Sequence, residues 1–500
     1  MRGGQQAKSP GRSRRKRSQN SDWATTPAGP VTVGTVPEPS PTADLVVVAN
    51  RLPVRRVDGD GGSAWTLSSG GLVTALIPVL RESSGVWIGW PGDAGDSDAV
   101  PASYEGIELH AVLVSEQEYD EFYLGFANAT LWPLYHDAIR PATFERSWWN
   151  AYRAVNERYA AAAADAAAEG ASVWIHDYQL QLVPQMLREL RPDVRIGFFL
   201  HIPFPPQELF MQLPWRREIL EGLLGADLVG LQVSGGASNF ARLARRVVGA
   251  TGSGARVVFD GRSIEVRAFP ISVDVDDFVA RANDPAVQAR AREIRVELGD
   301  PELILLGVDR LDYTKGIDHR LRAVGELFAD GTLDTSRHVV VQIAVPSREE
   351  DPHYQQEREN LERLLGEVNG QHASVGRAPI HYLYQSVSPD ELGALYLAAD
   401  VMLVTPLRDG MNLVAKEYVA CRTDGTGVLV LSEFAGAARE LRGAIFVNPH
   451  DLEGLKNAIR DAMTLDPGDT KARMRRMRQV IQRSDVHAWA RSFLAALREV

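Results

Sequence analysis

From Leu45 onward the chain alternates short, wholly apolar runs with longer segments whose apolar residues recur every three or four positions. LVVVA (45–49), SVWIH (172–176), RIGFFL (195–200) and DLVGLQ (227–232) lack polar alternation, the pattern of parallel strands buried on both faces. An amphipathic helix is expected near 180–190, and a long Ala-rich helix near 145–168 ending at Gly170. Strand, helix and strand in that order form a βαβ signature. A further helix is started by Asp284-Pro285 and stopped by Gly299. The alternation then resumes with LILLGV (303–308), HVVVQIA (338–344), IHYLY (380–384), VMLV (401–404) and VLVL (428–431). Ser388-Pro389-Asp390-Glu391 reads as a capping box and predicts a helix over 389–399. Ten or more strands suit two sheets better than one, with the switch between them near 271–276. No repeat of 20–50 residues is visible, which argues against a solenoid.

Composition narrows this picture. Five hundred residues with 45% hydrophobic and 24% charged side chains make two or three ordinary globular domains. Residues 1–44 are different: seven Lys or Arg, including Arg12, Arg14, Arg15, Lys16 and Arg17, six prolines and three acids predict a disordered basic tail. Beyond it, 47 basic residues face 62 acidic ones, a net −15. That balance excludes a broad nucleic-acid surface and leaves small phosphate-bearing ligands held by a few placed Arg or Lys. A single cysteine, Cys421, excludes internal disulfides and a Cys-based zinc site, and suits a reducing cytoplasm. No run of eighteen apolar residues predicts a membrane span, and the basic start lacks the apolar centre of a signal peptide.

Ligands of open α/β sheets collect beyond the carboxyl ends of the strands. The polar residues expected there are Asn50-Arg51, His176-Asp177, His201, Asp309-Arg310, Ser347-Arg348 and the stretch 405–409, converging from both halves on one cleft. The segment 309–316 links a strand to a helix and offers Arg310 and Lys315 near a helix start, fit for a diphosphate or for surface ion pairs. In 407–417, Gly410 permits a turn, Asp409 offers acceptors to sugar hydroxyls, and Glu417 suits a ribose diol or a salt bridge equally. Ser69-Gly70-Gly71-Leu72 precedes a helix near 71–81, either as a phosphate or sugar approach or as a plain helix start. Trp87, Trp90, Tyr123, Trp132, Trp148 and Trp149 crowd the first half, mostly as core, with sugar stacking open to those at the cleft. Asp274-Val275-Asp276 imitates a metal-binding DxD, yet it lacks companions and reads better as a helix cap or hinge; no HExxH or paired His/Cys spacing suggests zinc. His176 and His201 fit core and site roles equally.

Ser69-Gly70-Gly71-Leu72, Trp87-Ile88-Gly89-Trp90, Asn128-Ala129-Thr130-Leu131-Trp132-Pro133, Trp174-Ile175-His176-Asp177-Tyr178, the run from Phe198 to Pro205, Arg310-Leu311-Asp312-Tyr313-Thr314-Lys315-Gly316 and the run from Thr405 to Tyr418 together resemble the trehalose-6-phosphate synthase family. The resemblance spans the chain from about Leu45 onward, with seven motifs in order. It implies an α/β GT-B fold, two Rossmann-like domains with parallel sheets facing across a cleft. The implied domains are 45–273 for the acceptor and 274–485 for the nucleotide sugar, with 486–500 crossing back. The implied reaction moves glucose from UDP-glucose or ADP-glucose to glucose 6-phosphate with retention, without metal or other cofactor. By motif, Arg51, Tyr123, Trp132, Asp177 and Arg348 would hold the acceptor, and Asp177, His201, Arg310 and Lys315 would surround the reacting centre. Gly70, Gly71, Arg310, Lys315, Asp409, Gly410, Met411, Asn412, Leu413, Val414 and Glu417 would bind the donor, Gly70 and Gly71 as a flexible loop closing over it. A cytoplasmic homo-oligomer, dimer or tetramer, is expected, with no nucleic-acid or membrane partner.

Gln179 departs from the pattern, since many relatives have His there. The polar, Gly-rich run 58–63 also lies outside the resemblance and is expected as an exposed loop beside the site. Two competing readings are another GT-B transferase or phosphorylase-like enzyme, and a sugar-phosphate sensor on the same fold. A phosphorylase would need a pyridoxal-bearing lysine, and a sensor need not keep donor and acceptor cations together.

Overall fold

The computed structural model describes residues 42–59, 62–68, 71–92 and 100–500. The basic tail and Gly70 of the expected donor loop lie outside the described residues; Gly71 opens the helix Gly71–Ser83.

Two large sheets and one two-stranded sheet are present among the described residues. The first has nine strands in the order Arg256–Phe259, Arg262–Ala268, Leu228–Leu231, Arg195–Phe199, Ala167–His176, Ala43–Arg51, Val86–Trp90, Ile107–Ala111 and Ser103–Tyr104. Only its two outer pairs are antiparallel. Val46, Val47 and Val48 pair with Val86, Trp87 and Ile88 on one side and with Val173, Trp174 and Ile175 on the other, which puts the apolar runs at the sheet's centre. The second sheet is wholly parallel, in the order Ile380–Leu383, His338–Val345, Leu303–Arg310, Val401–Val404, Val428–Ser432 and Ile445–Val447. Helices cover the faces of both sheets, as parallel strands require.

Several local expectations hold. Asp284 caps the helix Pro285–Glu297 by accepting from Ala286 N at 2.7 Å, and Gly299 follows at φ 85°. Asp274 is a cap too, accepting from Asp277 N at 3.1 Å at the start of Val275–Asn283. Ser388 caps Pro389–Ala398 through Glu391 N at 3.2 Å, but Glu391 turns to Arg290 at 2.9 Å, so only half of the capping box forms.

Two expectations are corrected. The Ala-rich helix ends at Ala166, and Ala167 already belongs to a strand through Gly170 to His176. Pairing of Ala167 with Ala43 outweighs alanine's helix preference, and Arg191 collects the carbonyls of Ala164, Ala167 and Ala168 at 2.7–3.0 Å. The described part of the polar run 58–63 is not a plain loop; residues 58–59 and 62–63 belong to the antiparallel pair Val54–Gly59 with Gly62–Leu67, and residues 60–61 lie outside the described residues.

The last helix, Val486–Glu499, packs on the first sheet. Phe493 stacks on Trp174 with centroids 4.3 Å apart, and Trp489 donates from Nε1 to Phe269 O at 3.2 Å. Gly197 and Gly230 make this approach possible, because a Cβ on either would lie 2.7 or 2.6 Å from the Phe493 ring.

Candidate functional site

The carboxyl ends of both sheets meet at a cleft where arginines lie on aromatic rings. Arg51, at the end of the central strand, has its guanidinium carbon 4.1 Å from the centre of Trp90 and 5.6 Å from that of Tyr123. Tyr123 and Trp132 come from a segment wound as a π-helix, Tyr119–Leu131, and the short α-helix Trp132–Tyr135 that follows it. Such wide helices are rare and recur at functional sites. Across the cleft, the second sheet lays Arg348 and Arg310 on the same Trp132 ring, at 4.1 and 5.5 Å. Arg348 also donates to Tyr178 of the first half at 3.3 Å. Burial would raise the Tyr123 hydroxyl, but the guanidiniums of Arg348, Arg51 and Arg310 win and hold it below the usual phenol range.

Arg348 is braced from behind by its own half. Asp312 accepts from it at 3.3 Å and from the Tyr354 hydroxyl at 2.8 Å, while Tyr354 in turn accepts from Arg348. Burial opposes ionisation of Asp312, yet Arg348, Arg310 and Lys315 keep its pKa at about 2. Arg310 itself is exposed and has no ion-pair partner among the described residues, so its charge is available to a ligand.

Asp177 and His201 follow adjacent strands of the first sheet. Asp177 Oδ1 accepts from His201 N at 3.1 Å. Asp177 holds φ 75° and ψ 171°, a backbone conformation costly for any residue but glycine, and such strain gathers at functional sites. Burial raises its carboxyl to about 6, against the pull of the Tyr178 and His201 amides and of Arg310 and Arg348. His201 is pushed down to about 3 by burial, and its Nε2 lies 3.2 Å from His176 Nδ1.

On the facing side, Lys315 meets Asp409 at 2.6 Å, a pair that lowers the Asp409 pKa against the effect of burial. Asp409 also accepts from Asn412 Nδ2 at 3.2 Å and Met411 N at 3.4 Å, and Asn412, at φ 74°, caps the helix Leu413–Cys421. Glu417, on that helix, accepts from the Tyr396 hydroxyl at 2.7 Å and has its pKa raised by burial. Gly410 touches the first half directly: a Cβ there would collide with His201 O. Beside this contact lies a cavity of about 480 Å³ lined from both halves, by Ile202, Gln232 and Ser234 on one side and Arg408, Asp409 and Gly436 on the other. Behind the site Arg320 joins Asp309 and Gln342, each at 2.8 Å, to Thr405 at 3.0 Å, locking three strand ends together.

The cleft thus gathers Arg51, Tyr123, Trp132 and Arg348 with Arg310 as one group, Asp177 with His201 and Gly410 as a second, and Lys315 with Asp409, Met411 and Asn412 as a third. Leu413 and Val414 open the helix that carries Glu417. Sequence reasoning missed Tyr178, Tyr354 and the brace role of Asp312. Tyr354 had a signal, since Asp351-Pro352 starts a helix whose first turn returns it toward Arg348. It also missed His136, whose ring lies tilted against Trp132 with centroids 4.2 Å apart, donates from Nδ1 to Trp132 O at 2.8 Å, and is lowered to about 4 by burial. Asp274 meets His487, at 3.3 Å, and among the described residues no three His, Cys, Asp or Glu side chains are grouped to hold a metal.

The sequence profile described as Glycosyltransferase family 20 matches residues 43–499. A trehalose-6-phosphate synthase of Mycolicibacterium smegmatis is 57% identical over 469 residues, covering 92% of this chain and 93% of its own length. Among solved structures, the trehalose-6-phosphate protein from E. coli bound with UDP-2-fluoro glucose superposes with a TM-score of 0.84 at 34% identity, covering 91% of this chain and 99% of that one. A UDP-forming α,α-trehalose-phosphate synthase from Burkholderia xenovorans in complex with glucose-6-phosphate gives 0.83 and 34%, with the same coverage of both chains.

Proposed function

Because the chain belongs to glycosyltransferase family 20, we propose that it moves glucose from a nucleotide sugar to glucose 6-phosphate, forming α,α-trehalose 6-phosphate with retention at the donor carbon. It is a hexosyltransferase of GT-B fold, two Rossmann-like halves with parallel sheets. The observation that carries the reading is the Trp132 ring of one half bearing both Arg348 and Arg310 of the other, which sets two phosphate-binding cations one indole apart.

In this reading residues 45–273 form the acceptor half, 274–485 the nucleotide-sugar half, and 486–500 cross back. Arg51, Tyr123, Trp132 and Arg348 hold glucose 6-phosphate; the depressed Tyr123 hydroxyl reflects the three guanidiniums around it, a setting that favours an anion. Arg310 and Lys315 take the donor diphosphate. Lys315 spends one N–H on Asp409 and keeps two for phosphate oxygens. Breaking the sugar–phosphate bond builds charge on the departing diphosphate, so cations whose hold tightens there favour the transition state over the ground state. Asp409 and the amides of 410–414 position the glucose, and Glu417, with one oxygen free of Tyr396, takes the ribose. Asp177 acts as a hydrogen-bonding acceptor beside the acceptor sugar, with transfer on a single face of the ring in place of a glycosidase double displacement.

The neighbour bound with UDP-2-fluoro glucose supports a uridine donor. A cytoplasmic homo-oligomer remains part of the proposed reading. No helix among the described residues is long and apolar enough to cross a membrane. The test is nucleotide release from UDP-glucose or ADP-glucose with glucose 6-phosphate, with glucose as control and the product identified by NMR. Acceptor-dependent release of an α,α-1,1-linked phosphorylated disaccharide is the expected result, and the two donor rates decide the nucleotide. Folded protein that turns over neither donor would overturn the reading.

A further inference from the structure

The buried His176 and the half-buried His201 in the cleft wall are hydrogen-bonded to each other, and only His201 is expected beside the reacting centre. Nδ1 of His176 and Nε2 of His201 are 3.2 Å apart. Aromatic rings surround both: Trp174 lies 4.7 Å from His176, and Phe199 and Trp489 lie 4.7 and 6.1 Å from His201, centroid to centroid. Burial depresses both imidazoles, and each is neutral at physiological pH. One proton therefore occupies the line between them, and its owner fixes the tautomer of both rings.

The remaining nitrogens decide the owner. His176 Nε2 is sealed from solvent and has no partner. If His201 donated, that sealed atom would carry an N–H without an acceptor, the orphan that folded proteins tolerate least. If His176 donates from Nδ1, the sealed Nε2 is a bare nitrogen and His201 carries its proton on Nδ1. That nitrogen of His201 is not sealed and has no partner among the described residues; its residue lies beyond the strand Arg195–Phe199, against Gly410 of the facing half.

We propose that His176 is a positioning residue: its Nδ1–H donates to His201 Nε2, fixing His201 as the Nδ1–H tautomer, so that His201 offers the transferred glucose a hydrogen-bond donor and never an acceptor. The inference rests on the proposed function and on the expectation that His201 stands beside the reacting centre, where its ring would meet the transferred glucose. A fixed donor dictates how the contacted hydroxyl is turned, because its oxygen must accept from His201 and its own proton must go to another partner. Gln232 Nε2 donates to His201 O at 3.3 Å, and Asp177 accepts from His201 N, so the backbone on which this ring stands is held from both sides.

The experiment labels the histidines with 15N and reads tautomers from long-range proton–nitrogen correlations in substrate-free protein, with His201 identified by its loss in His201→Ala. His201 is expected as the Nδ1–H form in the wild type. In His176→Leu it should become a mixture, with kcat reduced roughly tenfold, the scale of one hydrogen bond to the reacting sugar, and the KM for glucose 6-phosphate nearly unchanged. His176→Asn places an amide nitrogen where Nδ1 stood and should restore both the tautomer and most of kcat. Finding Nε2–H on His201 in the wild type overturns the proposal, even if His176→Leu does not fold. Equal kcat losses in folded Asn and Leu variants overturn it as well. Full activity of His201→Ala would instead remove His201 from the sugar site, a failure of the functional assignment that the tautomer reading keeps separate.

Discussion

In the proposed reading Arg348 serves the acceptor phosphate and Lys315 the donor diphosphate, so their loss should show in different kinetic constants. Arg348→Ala removes one of the two cations on Trp132 and should raise the KM for glucose 6-phosphate about ten- to hundredfold, the value of one charge-assisted contact. Lys315→Ala should lower kcat by a similar factor and leave that KM nearly untouched. Initial rates with each substrate varied decide this, and one shared defect would refute the division. Asp177 makes a pH prediction. Its carboxyl titrates near 6 in the folded chain and near about 3.9 when unfolded. Between those values only the folded state keeps the proton, so this group supports folding fully below about pH 4 and loses that support as pH rises through 6. Asparagine keeps the acceptor for His201 N, bears the same backbone strain as aspartate and never ionises. Asp177→Asn should therefore gain about 2 kcal/mol over wild type at pH 7.5, gain little near pH 4, and lose transfer activity; urea melts at the two pH values check it.

At the scale of elements, the last helix depends on missing side chains beneath it. Gly230→Ala places a Cβ 2.6 Å from Phe493 and 2.8 Å from Phe199, and should cost about 1–3 kcal/mol in denaturant melts. Gly235→Ala, whose Cβ meets nothing within 4 Å at a helix start, should cost little or nothing and serves as control. The same scale explains what the sequence made legible. Strands such as Val401–Val404 stood where apolar runs predicted them, because burial on both faces leaves no polar position to confuse the pattern. The end of the Ala-rich helix was misplaced because the pairing of Ala167 with Ala43 lies far outside any local window. The π-helix carrying Tyr123 was invisible, since neither a period of two nor one of 3.6 describes it. Site residues just after strands, such as Asp177 and Arg310, were legible from topology alone. Their braces were not: Tyr354 reaches Asp312 only when two elements 42 positions apart are packed together.

For the whole molecule, the two halves are strapped across the cleft near the acceptor group. Arg140 of the first half donates to Glu357 at 2.8 Å and to His353 O at 3.1 Å, with its guanidinium 4.5 Å from the Tyr313 ring centre. Burial raises the Glu357 pKa and Arg140 opposes it. Removing Arg140 alone leaves a half-buried carboxylate without its cation, so Arg140→Ala should raise the KM values of both substrates about fivefold and widen the radius of gyration in scattering. Adding Glu357→Ala should return part of the loss, which a double-mutant cycle measures. The crossing helix has a consequence during synthesis. The ribosome delivers every strand of the first sheet early, yet the aromatic face of Trp174, Phe199 and Phe269 waits for Trp489, made 220 positions after the carbonyl it binds. At ~5–20 residues per second that is roughly 10–40 s in which a nascent chain shows an uncovered greasy surface. The half that is translated first is the half that is sealed last, and its nascent form is the one most in need of a chaperone.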